Sequence, residues 1–160
     1  MELVCPAGNL PSLKSAVDNG ANAVYLGLKD NTNARHFAGL NFTEKQLIKG
    51  IEYAHQNGCK VLIAINTYAQ GGAFKNWQNA VDLAADLHVS AVILADIGLL
   101  EYATQQHPNL SRHLSVQGSA TSYPSLNFYH QEFGIKRAVL PRVLSLKQVK
   151  NLVPKSPVEL

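Results

Sequence analysis

Val61-Leu62-Ile63-Ala64-Ile65-Asn66 and, thirty positions on, Ala91-Val92-Ile93-Leu94-Ala95-Asp96 decide the fold of this 160-residue chain. Each is an apolar run without alternation, closed by one polar residue. A strand that buries both faces reads this way, and such strands belong to parallel sheets covered by helices. Amphipathic segments lie between the runs. Leu47, Ile51 and Ala54 form one apolar stripe, and Trp77, Ala80, Val81 and Ala84 form another. The pattern predicts strand-helix-strand units with right-handed crossovers.

Outward from those runs the same unit recurs. Leu3-Val4-Cys5 is predicted as the first strand and Ala23 to Leu28 as the second. His113 to Ser119 is the fifth and Ala138 to Arg142 the sixth, with Val158-Glu159-Leu160 opening a seventh. Predicted helices follow Asn9 and Thr43, run from about Trp77 to Leu87, from Gly98 to Gln106 and from Pro124 to Phe133, and follow Ser145. Asn9 can cap its helix through its side-chain oxygen, and Thr43 with Gln46 three residues on forms a capping box. The expected class is α/β, an incomplete (β/α)8 TIM-like barrel of six βα units plus the start of strand seven. Residues 1–160 are read as the N-terminal part of that barrel domain. No Gly-x-Gly-x-x-Gly follows the first strand, which argues against a dinucleotide-binding open sheet.

Composition narrows the function classes. Hydrophobic residues make up 46% and charged ones 16% of the chain, with a formal net charge of +3. A disordered tail is excluded, and the scattered basic residues argue against a nucleic-acid partner, the small group Lys147, Lys150 and Lys155 reading as a solvated helix face. No apolar run approaches the roughly 20 residues of a membrane span, and the first residues do not read as a secretory signal, so a cytoplasmic setting is expected. Cys5 at the end of the first strand and Cys59 just before the third should stand too far apart to bridge. No set of cysteines or histidines has metal-ligand spacing, so no metal site is expected from these residues.

In such barrels chemistry sits at the C-terminal ends of the strands. That rule selects Asn9, the 29–42 loop, Asn66, Asp96, Gln117, Ser119 and Arg142. The loop KDNTNARHFAGLNF is longer than the roughly two to six residues usual for such a connection. Its Arg35 and His36 are candidates to bind an anion or move a proton, or else to tie the loop to a carboxylate and cover the barrel mouth. Asp96 and Arg142 are candidates for a catalytic acid and an anion clamp, or for a salt bridge across the mouth. Ser115, Gln117 and Ser119 recur with period two, so strand five should line the barrel with polar groups that bind substrate or a structural hydrogen-bond layer. Asn9 with its helix N-terminus and Asn66 complete the substrate-binding candidates. No nucleophile elbow, phosphate loop or paired carboxylates at useful spacing occur.

The strings LVCPAGNLPSLKSAVDNGANAVYLGL, NARHFAGLNFT, INTYA and LPRVLS resemble the collagenase-like peptidase family, the unknown-type family thirty-two. The resemblance is collinear over essentially the whole chain and is strongest to the branch that serves oxygen-independent hydroxylation in ubiquinone biosynthesis. It implies a barrel-like region, a 4Fe-4S cluster held by four cysteines in the full-length protein and a paralogous family member as heterodimer partner. The implied substrate is a small-molecule quinone precursor, with prephenate as an oxygen donor. Other relatives hydroxylate RNA, and others carry peptidase names. The family's cysteine-rich signature is expected downstream of residue 160, so these residues alone should hold no cluster. Many peptidase-named members carry Arg-Glu-Leu-Ser where this chain has Arg142-Val143-Leu144-Ser145, a departure that tells against a peptidase.

Overall fold

The computed structural model describes residues 2–160. Six strands alternate with six helices: β1 Val4–Pro6, α1 Leu10–Asp18, β2 Ala23–Gly27, α2 Glu44–Gln56, β3 Lys60–Ile65, α3 Phe74–Asp86, β4 Ala91–Leu94, α4 Ile97–Gln106, β5 Arg112–Leu114, α5 Tyr123–Phe133, β6 Arg137–Ala138 and α6 Leu146–Leu152. All neighbouring strands pair in parallel, in the order β1-β2-β3-β4-β5-β6. Sequential order is the winding of a barrel; a doubly wound sheet reverses direction at a switch point. The sheet has curled far enough for Glu2, ahead of β1, to meet Arg137 of β6 at 2.5 Å. A parallel bridge from Arg137 to Glu159 adds the beginning of a seventh strand, as expected. The fold is therefore part of a TIM-like barrel.

Strand residues separate into two layers by parity. Val24, Leu26, Val61, Ile63, Ile65, Val92, Leu94 and Leu114 face outward into the main core. They meet the helix stripes, including Leu13, Leu47, Ile51, Trp77, Val81, Leu99, Leu100 and Leu126, all essentially without solvent contact. At roughly 1.5–3 kcal/mol for each large side chain buried, this layer dominates the stability. The other parity builds a smaller inner cluster of Ala23, Leu62 and Ala91 with Val4, Tyr25 and Ile93 against it.

Local chemistry fixes the helix starts. Asn9, Thr43 and Ser145 form reciprocal capping boxes with Ser12, Gln46 and Gln148, while Asp96 and Ser122 cap α4 and α5. Helix α3 begins at Phe74, three residues ahead of the predicted start, where the Gly71-Gly72 turn ends; Gly72 has a φ of 80°.

Two strand ends differ from expectation. Strand five stops at Leu114, because the Ser115 hydroxyl accepts the Gln117 N–H and turns the chain into a 3-10 turn over Val116–Gly118. Such a local side-chain bond competes with the strand ladder. Ser119 follows in the left-handed region, so Ser115, Gln117 and Ser119 do not share one strand face. Strand six ends at Ala138, not Arg142; Val139 still donates to Leu114, but Pro141 has no N–H to continue the ladder. The cysteines are both free, with Cys59 buried and Cys5 mid-strand in β1; both belong to the outer layer. Among the described residues no helix is long and apolar enough to cross a membrane.

Candidate functional site

The 29–42 loop is built onto the ends of β2 and β3. Lys29 donates to the Phe42 carbonyl at 3.0 Å and Phe42 donates to Gly27 at 3.1 Å, pinning both loop ends. Buried Thr32 is held by Asp30 Oδ1 at 2.6 Å. Buried Asn33 accepts the Arg35 N–H at 3.0 Å and donates to Asn41 at 3.3 Å. Gly27 makes room for it: a Cβ there would lie 1.6 Å from Asn33 Nδ2. Asn66, at the end of β3, accepts the Ala34 N–H at 3.0 Å, and Thr67 donates to the Asn31 carbonyl at 2.7 Å. This places Arg35 and His36 on the mouth with exposed side chains. Neither makes a side-chain hydrogen bond or ion pair with the described residues, so the alternative reading of Arg35 as a tie to a carboxylate is not met.

Segment 66–69 joins the other strand ends. The Ala69 N–H donates to Asp96 Oδ2 at 3.1 Å, while Asp96 Oδ1 caps α4 through the Leu99 N–H at 3.1 Å. The Tyr68 hydroxyl donates to the Gln117 carbonyl at 2.6 Å. Asn66, Asp96 and Gln117 are thereby brought to one mouth. Arg142 is not joined to them: it sits exposed in the turn after Pro141 without an ion pair, so the Asp96–Arg142 salt bridge is absent among the described residues. Each Asp96 oxygen instead accepts one backbone N–H, from Leu99 and from Ala69. Asn9 spends its side-chain oxygen on the Ser12 N–H at 2.9 Å, and the Ser119 hydroxyl donates weakly to Gln117 at 3.4 Å.

Beside the exposed Arg35, His36 and Arg142, this mouth carries many exposed apolar side chains. Phe37, Leu40, Tyr68, Ile97, Val116, Tyr123, Val139, Val143 and Leu146 are exposed, each on a loop or helix start that follows a strand. Val143 is the extreme case at 81% exposure, in the position where the peptidase-named pattern has a carboxylate. Of the chain's four arginines, only Arg35 and Arg142 are on this side.

Below the mouth lies the inner wall, and sequence reasoning missed its polar members. Lys60, Glu2, Arg137 and Glu159 form a chain of ion pairs across the N-terminal end of the barrel, at 2.9, 2.5 and 2.8 Å. Lys60 and Arg137 hold the Glu2 carboxyl below its ordinary range. His113 pairs in register with Ile93 and Arg137, and therefore faces inward with them. It is 9% exposed and makes no side-chain hydrogen bond within the described residues. Burial, reinforced by Arg137, pushes its pKa down to about 4, so its imidazole is neutral near pH 7. Tyr25, part-exposed on the same inner face, likewise has no partner for its hydroxyl among the described residues. The signal that could have found His113 is its parity: it is opposite in facing to Leu114, which packs outward.

Arg112, its neighbour, points the other way. Its guanidinium donates to the carbonyls of Phe133 at 2.8 Å, Leu110 at 2.8 Å and His107 at 3.1 Å. It thus ties the C-terminal ends of α4 and α5 together and serves the scaffold.

The model for "Peptidase family U32" matches residues 8–160. An uncharacterized protease of Methanocaldococcus jannaschii is 41% identical over 95% of this chain and 36% of its own length. The tRNA hydroxylation protein P1 of Bacillus subtilis is 31% identical over 99% of this chain and 37% of its own. The chain thus spans little more than a third of these curated relatives. The solved structure of a U32 peptidase superposes with a TM-score of 0.80 over 100% of this chain and 67% of the other, at 16% identity, a likeness of fold alone.

Proposed function

Because the chain belongs to peptidase family U32, we propose that it is the barrel scaffold of a hydroxylation protein whose substrate is an apolar aromatic precursor of ubiquinone. The apolar rim carries this reading. A ring bearing a long hydrocarbon tail gains by covering exposed Phe37, Tyr68, Tyr123 and Val143, at roughly 25 cal/mol per Å² removed from water. The motif likeness in the opening strands and the 29–42 loop points to the same branch.

The 4Fe-4S cluster that this reading includes would supply electron transfer. The residues described do not fit it: Cys59 is buried and Cys5 belongs to the same outer layer, and no three metal-ligating side chains are grouped among them. Its ligands, and the paralogous partner of a heterodimer, therefore belong to the proposal for the full-length protein. What these residues do is bind and orient. Asn66 holds the loop backbone at Ala34 and Asp96 holds the 66–69 segment beneath it, leaving Arg35 and His36 free to meet substrate.

The name of the Bacillus subtilis relative favours a second reading, hydroxylation of RNA. An RNA site needs a run of cations to neutralise phosphates; on this rim exposed Arg35 and Arg142 stand singly among exposed apolar side chains. For peptidase chemistry, no serine, threonine or cysteine hydrogen-bonds a histidine among the described residues. The test is deletion of the encoding gene, followed by anaerobic growth and mass spectrometry of quinones and RNA nucleosides. Accumulation of an unhydroxylated quinone precursor supports the proposal. Normal quinone with loss of a hydroxylated nucleoside overturns it in favour of RNA.

A further inference from the structure

We infer that the barrel mouth rests on an anionic lipid bilayer through two turns that flank it, residues 35–40 after β2 and residues 142–147 after β6. Each turn joins exposed cations to exposed apolar side chains: Arg35 with Phe37 and Leu40, and Arg142 and Lys147 with Val143 and Leu146. Val143 and Leu146 are 81% and 70% exposed. The protein itself holds both turns in place. Asn41 donates to the Arg35 carbonyl at 2.9 Å, Leu40 donates to Phe37 at 3.1 Å, and Gly39 takes a φ of 81° at the tip. Leu144 packs against the core beside Val143, and the Ser145 capping box fixes the start of α6. The fold therefore aims these apolar side chains at solvent. Most of the large apolar side chains that the chain exposes lie at this one end, and such a concentration marks a contact surface.

Charge selects the occupant. Lys29, Arg35, Arg142 and Lys147 make no ion pair among the described residues. The carboxylates at this end are otherwise engaged: Asp30 accepts from Thr32, Asp96 accepts from Leu99 and Ala69, and Glu44 lies in the first turn of α2, where the helix dipole offsets it. A second copy of the chain would set these cations against one another. Anionic headgroups over an acyl layer suit both parts of each turn. Aliphatic and aromatic side chains enter the acyl boundary, while the arginines and lysines stay with the phosphates. Tyr68 and Tyr123, amphipathic rings on the same mouth, match headgroup depth. The choice of a bilayer over an acidic protein surface rests on the proposed function. A quinone precursor with a hydrocarbon tail is held in lipid, and a mouth seated there takes the ring without drawing the tail through water.

The test is flotation of the full-length protein with vesicles of phosphatidylcholine alone and of phosphatidylcholine mixed with phosphatidylglycerol. Binding to the mixed vesicles is expected, falling as salt is raised. Val143→Ser combined with Leu146→Ser should weaken it roughly tenfold or more. Arg142→Gln and Lys147→Gln should each weaken it about fivefold. All four positions are exposed, so the circular dichroism of these variants should match the native chain. Absence of binding to the mixed vesicles, or undiminished binding of the folded double-serine variant, overturns the inference. Dimers in light scattering that dissociate with the same two substitutions give this face to a second copy and overturn it as well. Vesicle binding with undisturbed anaerobic quinone in the deletion strain keeps the docking surface and removes the hydroxylation reading; an accumulated precursor without vesicle binding does the opposite.

Discussion

Acid should unfold this protein earlier than its carboxylates require, and His113 is the reason. Its ordinary pKa is 6.5, and inside the barrel it falls to about 4. Above about pH 6.5 the imidazole is neutral in both folded and unfolded chains, so it adds no pH dependence. Between 6.5 and 4 the unfolded chain takes up a proton that the native protein resists, so stability falls as pH falls; below 4 the loss is complete. At about 1.4 kcal/mol per pK unit, the full loss is roughly 3 kcal/mol, and about 2 kcal/mol of it is gone near pH 5. That is a large share of the roughly 5–15 kcal/mol that folds a typical domain. The groups facing the ring are Arg137 and Lys60, which oppose its protonation, and Glu2 and Glu159, which favour it. The assay is urea unfolding near pH 7 and near pH 5 for the native sequence and His113→Gln. The variant, having no titrating ring, should lose about 2 kcal/mol less between the two conditions. Equal losses, within about 0.5 kcal/mol, would refute the burial argument for His113.

Other substitutions probe the mouth and the scaffold. Gly27→Ala should drive Asn33 from its buried place and free the 29–42 loop, costing about 2–3 kcal/mol; limited proteolysis within the loop and a lower Tm would register it. Asp96→Ala removes the acceptor for the Leu99 and Ala69 N–H groups and should cost about 1–2 kcal/mol in urea unfolding. Asp96→Asn keeps one amide oxygen for capping and should cost less in the same urea assay. Arg112→Met removes the donor to two buried carbonyls, Phe133 and Leu110, and to part-buried His107, and should destabilise by about 2–3 kcal/mol, read as a fall in the urea midpoint. Glu2→Gln should flatten the acid limb below about pH 4.5, since Lys60 and Arg137 stabilise the ionised carboxyl and that gain is lost as pH falls through its lowered pKa.

Much of the fold was legible in residue order because the signals are local. Unbroken apolar runs such as Val61 to Ile65 mark strands buried on both faces, and Asn9, Thr43 and Ser145 mark helix starts through bonds spanning three residues. The exits of strands five and six were not legible. Ser115 reads as one more strand residue until its hydroxyl is seen to take the Gln117 N–H, and Pro141 stops a ladder whose partner strand lies some twenty-five residues back. Asn66, Asp96 and Gln117 lie at one mouth in the folded chain, while Arg142 from the same set of strand-end residues is not joined to them. Residue order could not assign their bonds: Asp96 was free in sequence to pair with Arg142 or to cap a helix, and only packed geometry chose the cap.

Taken alone, the amino-acid sequence determined that parallel strand-helix units would form and that their polar tips would gather at one end, since both follow from short-range periodicity. Only the curled sheet decided what faces the interior. Closing it brings Glu2 against Arg137, 135 residues apart, and aims His113 and Tyr25 at the same wall. Parity along a strand gives two possible faces, and it takes the curvature of the whole sheet to make one of them an interior.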